Sequence, residues 1–298
     1  MATINKVAII LKPKVITEFN TVLPNLTNWL KRRKVDIFFE DSQKNRIEKI
    51  FKGSTTKNFN YIHRDEISKK CKLIITMGGD GTLIGIARGK NIKKVNIFGI
   101  NMGNLGFIAE FSKQDFYDGL ELALKGKLKT RKVQMYQAQI QRKGKKPFTF
   151  NFLNDAVITK SGISRMFNLE LESNGQSIYN LAGDGLIVST PIGSTAYSLA
   201  ANGPILHPSV KGVVLTPICP HALTHRPMVL PDSEVISIII PRGHDDIYLT
   251  IDGQEEFRLE AKDEVVIKKS RTHYVNFYAN EERNYFRTLK EKFKYGHR

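Results

Sequence analysis

The chain has 298 residues, 41% hydrophobic and 25% charged, which is room for two ordinary domains with enough apolar surface to offset the entropy of ordering them. Long disorder is thereby excluded, and 22 Gly and 11 Pro without a period, with two Cys, exclude collagen-like and disulfide-framework proteins. The net charge of +17 is lopsided: residues 1–150 hold 30 basic and 12 acidic residues, residues 151–298 hold 16 and 17.

In chain order, the β-branched run 6–11 predicts a strand, 17–34 an amphipathic helix and 35–39 a second strand. Strands follow at 72–77 and 95–100, with a helical stretch from Thr82 between them. Nearly continuous apolar strands alternating with helices predict a parallel sheet covered on both faces. Beyond about residue 130 short strands recur with turn signals, at 134–141, 148–160, 168–173, 235–240, 247–251 and 264–268, the spacing of an all-β domain. The small-residue segment 189–204 reads as a loop entering a short helix, and 281–293 as a final helix returning to the first domain. The basic clusters at 31–34 and 142–146 read as a helix end and a hairpin tip, against an anionic ligand, nucleic acid or an anionic membrane as partner. Cys71 and Cys219 lack the spacing of a zinc site and are expected as small buried hydrophobes. The apolar run 7–11 is too short for a signal-peptide core, and no segment approaches the roughly 18 apolar residues of a membrane span, so a cytoplasmic protein is expected.

Two glycine-rich stretches follow strands directly, GGDGT (78–82) and NMGNLG (101–106), and in open α/β sheets ligands bind at the carboxyl ends of strands. Gly78, Gly79 and Gly81 permit positive φ and a close approach of phosphate to backbone amides, with Thr82 suited to start a helix whose amides attract anions. No GKT or GKS follows, so this is not a Walker A loop, and Gly79, Gly81 and Gly85 give only G-x-G-x-x-x-G. Asp80 is either a turn former or a group that accepts a proton from an attacking hydroxyl or helps position a metal-bound phosphate. Asn154 and Asp155 are adjacent polar residues in buried-strand patterning: an amide can read an adenine edge and a carboxylate can hold ribose hydroxyls, while a bulge or turn is the plain alternative. The segment from GDG (183–185) through Ser189 to GSTAYS (193–198) offers amides, hydroxyls and the Tyr197 phenol as a nucleotide-holding wall, unless its small residues serve packing alone. IDGQ (251–254) reads as a hairpin turn. His221 and His225 have ligand spacing but are bracketed by Pro220 and Pro227 and make an incomplete site, so no protein metal site is expected.

Together GGDGT, GINMGNLGF (99–107), the Asn154–Asp155 pair, the block 183–206, HALTHRPMV (221–229) and IDGQ resemble the NAD kinase family in order and approximate spacing, over residues from about 72 to 254. The resemblance implies an α/β Rossmann-like N-terminal domain (1–130) and a β-rich, β-sandwich C-terminal domain (131–280), with the helix near 281–298 packing back on the first, in the diacylglycerol kinase/phosphofructokinase-like superfamily. It implies transfer of the ATP γ-phosphoryl group to the 2′-hydroxyl of the adenosine ribose of NAD, magnesium entering with ATP, and self-association to a dimer or tetramer. Carried over by position, Asp80 is implied as general base, and Gly78, Gly79, Asp80, Gly81, Thr82 and Asn104 as the phosphate loop. Asn154, Asp155, Arg165, Ala182, Asp184, Thr195, Ala196, Tyr197, Ser198, Leu199, Ala200 and Gln254, with Asp80 and Gly81, are implied to contact NAD. The family's commoner form has Glu after the Asn, so Asp155 is a carboxylate one methylene shorter. The competing classes are a lipid kinase of the same superfamily, which needs an apolar acceptor cleft, and a non-catalytic nucleotide or nucleic-acid binder; no nucleic-acid module is present.

Overall fold

A computed structural model describes residues 3–51, 59–103, 106–161, 167–241 and 247–294. The chain forms two compact units, residues 1–133 with 274–298, and residues 134–273.

In the first unit the strands Asn60–Ile62, Asp36–Glu40, Lys6–Leu11, Leu73–Gly78 and Asn96–Asn101 lie side by side in that order, all parallel. Lys6–Leu11 and Leu73–Gly78 are buried almost throughout, which is why their sequences are near-continuous apolar runs rather than alternating ones. Helix Phe19–Arg32 buries Phe19, Leu23, Leu26 and Leu30, one stripe at helical spacing, against Val7, Ile9, Leu11 and Ile75. The strand order reverses between Lys6–Leu11 and Leu73–Gly78, the two strands whose carboxyl ends should carry a ligand. A cavity of about 270 Å³ lined by Lys69, Lys70, Cys71, Lys72 and Lys94 lies instead at the amino end of Leu73–Gly78.

The second unit is a pair of sheets around one core. One has the antiparallel order Met228–Pro231, Gly212–Ile218, Gly185–Ser189, Asp155–Lys160, Ile247–Ile251, Glu255–Leu259. The other joins Gln176–Gly183, Phe167–Ser173, Ile236–Ile239 and the first part of Glu264–Tyr278, with Thr130–Gln141 and Phe148–Phe152 beyond. Alternate residues such as Ala156 and Ile158, Leu186 and Val188, Leu169 and Leu171, and Val265 and Ile267 meet in that core, the period of strands with one face buried.

Several boundaries differ from the sequence expectations. The helix after Leu73–Gly78 begins at Asp80, with Gly79 at its N-cap, so Thr82 lies in its first turn rather than at its start. The strand expected over 148–160 is two strands, because the amides of Leu153, Asn154 and Asp155 turn to the Asp252 carboxylate. The strand expected at 264–268 continues to Tyr278, and the last helix spans only Tyr285–Phe293, capped by Asn284. Cys71 is buried, but Cys219 is exposed at φ +42° in the turn leaving Gly212–Ile218, which corrects the expectation for that cysteine. Among the described residues no helix is long and apolar enough to cross a membrane.

Candidate active site

The loop GGDGT sits where the strand order reverses. Its glycines do not serve positive φ, since none of Gly78, Gly79 and Gly81 has it; Gly78 is required by close approach. A Cβ there would overlap the Thr82 hydroxyl and come within 3.0 Å of the Lys12 Cβ. Lys12, the first residue off Lys6–Leu11, is fixed beside the loop by its amide on the Met77 carbonyl, 2.9 Å, and by Arg46, which donates to its carbonyl and to those of Pro13 and Lys14. No carboxylate among the described residues pairs with the Lys12 ammonium.

Asp80 opens the following helix, where a negative charge complements the helix dipole. Its Oδ2 accepts from the Phe107 amide at 2.6 Å and its Oδ1 from those of Ile108 and Ala109 at 3.0 and 2.9 Å. A carboxylate has about four lone-pair positions, so one on Oδ2 is left. Lys292 Nζ lies 3.9 Å from that oxygen. A Cβ on Gly106 would overlap this carboxylate, which is why the chain has glycine there.

In the second unit Asn154 and Asp155 lie where Asp155–Lys160 begins. Asp252, across the neighbouring hairpin, accepts the amides of Leu153, Asn154 and Asp155 at 3.1, 2.7 and 3.2 Å, and donates its own amide to the Asp155 carbonyl at 2.9 Å. IDGQ is thus a hairpin turn, with Asp252 and Gly253 at φ +51° and +63°, that also braces the Asn-Asp pair. From the other side, Thr190 donates its amide to the Asn154 carbonyl and its hydroxyl to the Leu153 carbonyl. Gly193 packs so close that a Cβ would overlap the Asn154 carbonyl.

Beside this bracing, two polar side-chain groups have no protein donor among the described residues. The Asn154 Oδ1 is buried and accepts no hydrogen bond. Asp155 is 4% exposed and receives no donor among the described residues; burial first, then the Asp252 charge, pushes its carboxyl up to about 7.

The wall beyond comprises the turn Gly193–Thr195 and the four-residue helix Tyr197–Ala200. Tyr197 is exposed and Ala200 open, while Ser198 is fully buried with its hydroxyl 2.9 Å from that of Thr216, under Gly203. Thr195 donates to the Ile192 carbonyl. Asp184 pairs with Lys160 at 3.0 Å at the far end of Gly185–Ser189 from the residue facing Asp155. Five strand residues separate the two levels, roughly 16 Å. Ala182 holds His221 through its carbonyl, and Gln254 closes the Asp252 turn. His225 stacks on Tyr179, ring centroids 4.8 Å apart. Asn104 and Arg165 lie outside the described residues.

Residues 7–128 match the ATP-NAD kinase N-terminal domain and residues 153–279 the ATP-NAD kinase C-terminal domain. The chain belongs to the NAD kinase family. Among its curated relatives, the NAD kinase of Solibacter usitatus is 36% identical over 298 residues, all of both chains. That of Aquifex aeolicus is 36% identical over 274 residues, 89% of this chain and all of the relative. Of solved structures, yeast NADH kinase complexed with NADH superposes with a TM-score of 0.90 at 23% identity, covering all of this chain and 89% of the other. An NAD kinase from Archaeoglobus fulgidus in complex with ATP gives 0.72 at 24%, covering 97% and 98%. At that identity the two structures establish the fold. As a family member the chain is an enzyme, a phosphotransferase that makes NADP from NAD.

Sequence reasoning did not single out Lys12 beside the loop, Asp252 as the brace of the Asn154–Asp155 pair, or Lys292 near Asp80. For Lys12 a signal existed, its place directly after the first strand of a parallel sheet; the others act through contacts with residues far away in the chain.

Proposed function

We propose that the chain moves the γ-phosphoryl group of ATP onto the 2′-hydroxyl of the adenosine ribose of NAD, with Asp80 as general base. The observation that carries the NAD side is an adjacent pair at the start of a braced strand: the buried Asn154 Oδ1, which accepts no hydrogen bond, and the buried Asp155 carboxyl, which receives no donor among the described residues. Two ribose hydroxyls donating to Asp155 and an adenine amine donating to Asn154 would satisfy both, where an apolar acceptor would leave them unpaired at a cost of about 1–3 kcal/mol each. Asp184, about 16 Å along the strand pair, suits the nicotinamide end of an extended dinucleotide. Tyr197 and Ala200 offer surface to the adenosine, and Ser198 supports them from within.

Lys12 provides a counter-charge beside the GGDGT amides for the ATP phosphates, where positioning and charge neutralisation do most of the work of phosphoryl transfer. Magnesium would travel on the triphosphate and supply further neutralisation. Asp80, with three amides on it, keeps one acceptor position on Oδ2, and the proposed base role uses that position for the hydroxyl proton. The superfamily assignment, a cytoplasmic setting and self-association belong to this proposal as well. Exposed Val210 and Val229, flanking Gly212, and exposed Leu223 are apolar surface of the kind a second subunit would cover.

Asp80→Asn should keep NAD affinity within about twofold and lose 10²–10⁴ in turnover, measured as NADP formed from ATP and NAD. Turnover near wild type would remove Asp80 from the mechanism. A second reading takes Asp155 as the base: burial and then the Asp252 charge push its carboxyl up to about 7, the range in which a base works best. In that case Asp155→Asn, not Asp80→Asn, would abolish turnover with NAD still bound.

A further inference from the structure

The three amides that hold Asp80 belong to a short stretch, residues 107–109, whose own support comes from the end of the chain. Arg283 donates from Nη1 to the Ala109 carbonyl at 3.0 Å and from Nη2 to the Gly106 carbonyl, so one guanidinium grips both ends of that stretch. Its fork is held by the Thr288 hydroxyl, 3.2 Å from both Nε and Nη2, and Thr288 is buried. Asn280 adds a third tie, its amide 2.8 Å from the carboxylate of Glu110, which pairs with Arg131 at 2.9 Å. The Phe107 ring sits beside Tyr285 and Phe293, ring centroids about 6.0 and 5.9 Å away, and under the Lys292 ammonium at 4.4 Å. Lys292 also reaches to 3.9 Å from Asp80 Oδ2. Residues 280–294 lie beyond both matched family domains, which end at 128 and 279.

We propose that Arg283 is a positioning residue for phosphoryl transfer, acting through the carbonyls of Gly106 and Ala109 to hold the amides of Phe107, Ile108 and Ala109 that aim the Asp80 carboxylate. The C-terminal segment is then part of the catalytic apparatus, with Lys292 completing the electrostatic surroundings of Oδ2. The physical reason is rigidity. A carboxylate must meet the hydroxyl proton at about 2.6–3.2 Å, and the backbone whose amides aim it keeps that geometry best when its own carbonyls are tied. Arginine suits the role because its planar fork binds two acceptors at once, whereas a lysine ammonium has no fixed fork.

The inference rests on Asp80 as the base, so its test is a double-mutant cycle that includes Asp80→Asn. Arg283→Ala should lower kcat about 10²-fold, the scale of a misplacement of about 1 Å, with KM for NAD and ATP moved less than threefold. Free guanidinium should restore part of that rate, and Arg283→Lys should fall between. Because Arg283 acts through Asp80, the double variant should be no slower than Asp80→Asn alone. Independently of activity, the amides of Phe107, Ile108 and Ala109 should exchange hydrogen faster in Arg283→Ala. If Asp80→Asn is impaired and the two losses multiply, or if Arg283→Ala turns over at the wild-type rate, the positioning role is overturned. A wild-type rate in Asp80→Asn itself would instead overturn the reading of Asp80 as base. Should Arg283→Ala not fold, the same cycle run with Arg283→Lys decides between these outcomes.

Discussion

Asp155→Asn removes one charge while keeping the shape, and three measurements should move together. The wild-type carboxyl is raised from 3.8 to about 7 by burial and by the Asp252 charge. Between pH 4 and 7 the folded chain therefore binds more protons at this group than the unfolded chain. Stability thus falls as pH rises through that window, and the full loss, on the order of 4 kcal/mol, is present above 7. The asparagine variant escapes this loss: it should melt at a higher temperature than wild type at pH 8 and show no such advantage at pH 4. NAD binding should move the opposite way. Hydrogen bonds to a charged acceptor contribute about 1.5–3 kcal/mol, so calorimetry should show NAD affinity reduced about 10- to 150-fold, with ATP affinity much less affected. Wild-type NAD affinity should rise as pH increases towards 7 and level off above it, because the ribose hydroxyls need the ionised acceptor, and binding near pH 6 should release a proton. The variant should be flat over the same range. Wild-type affinity independent of pH from 5.5 to 8.5, or a variant that binds NAD as tightly as wild type, would refute the assignment of Asp155 to the ribose.

Asp252→Ala leaves the amides of Leu153, Asn154 and Asp155 without their acceptor and should destabilise the chain by about 1–3 kcal/mol, measured by urea unfolding. It also removes a charge that raises the Asp155 carboxyl, so the midpoint of the NAD affinity–pH curve should shift to lower pH; an unshifted midpoint would leave burial as the sole cause. Lys12→Met should raise KM for ATP about tenfold, with KM for NAD within twofold and Lys12→Arg close to wild type. Equal effects on both substrates would show that Lys12 merely supports the loop.

Much of the fold was legible because its signals are local. Residues 7–11 form a continuous apolar run as a strand covered on both faces must, Phe19, Leu23, Leu26 and Leu30 recur as a helix face must, and the glycines of GGDGT follow a strand directly. The candidate site was legible as residue types: an acid in a glycine turn, an amide beside a second acid. Their states were not. Whether Asp155 is charged depends on its burial and on Asp252, nearly a hundred residues on, and the broken strand at Asn154 traces to the same Asp252. Whether Asp80 is available depends on amides almost thirty residues away and on an arginine some 175 residues beyond those. The sequence by itself determined most of the strands and helices and the glycine-rich turn that follows a strand, since periodicity and turn chemistry act over a few residues. Only the tertiary structure decided which polar groups remain unsatisfied and which are held, because desolvation and hydrogen-bond supply come from chain segments that meet by folding.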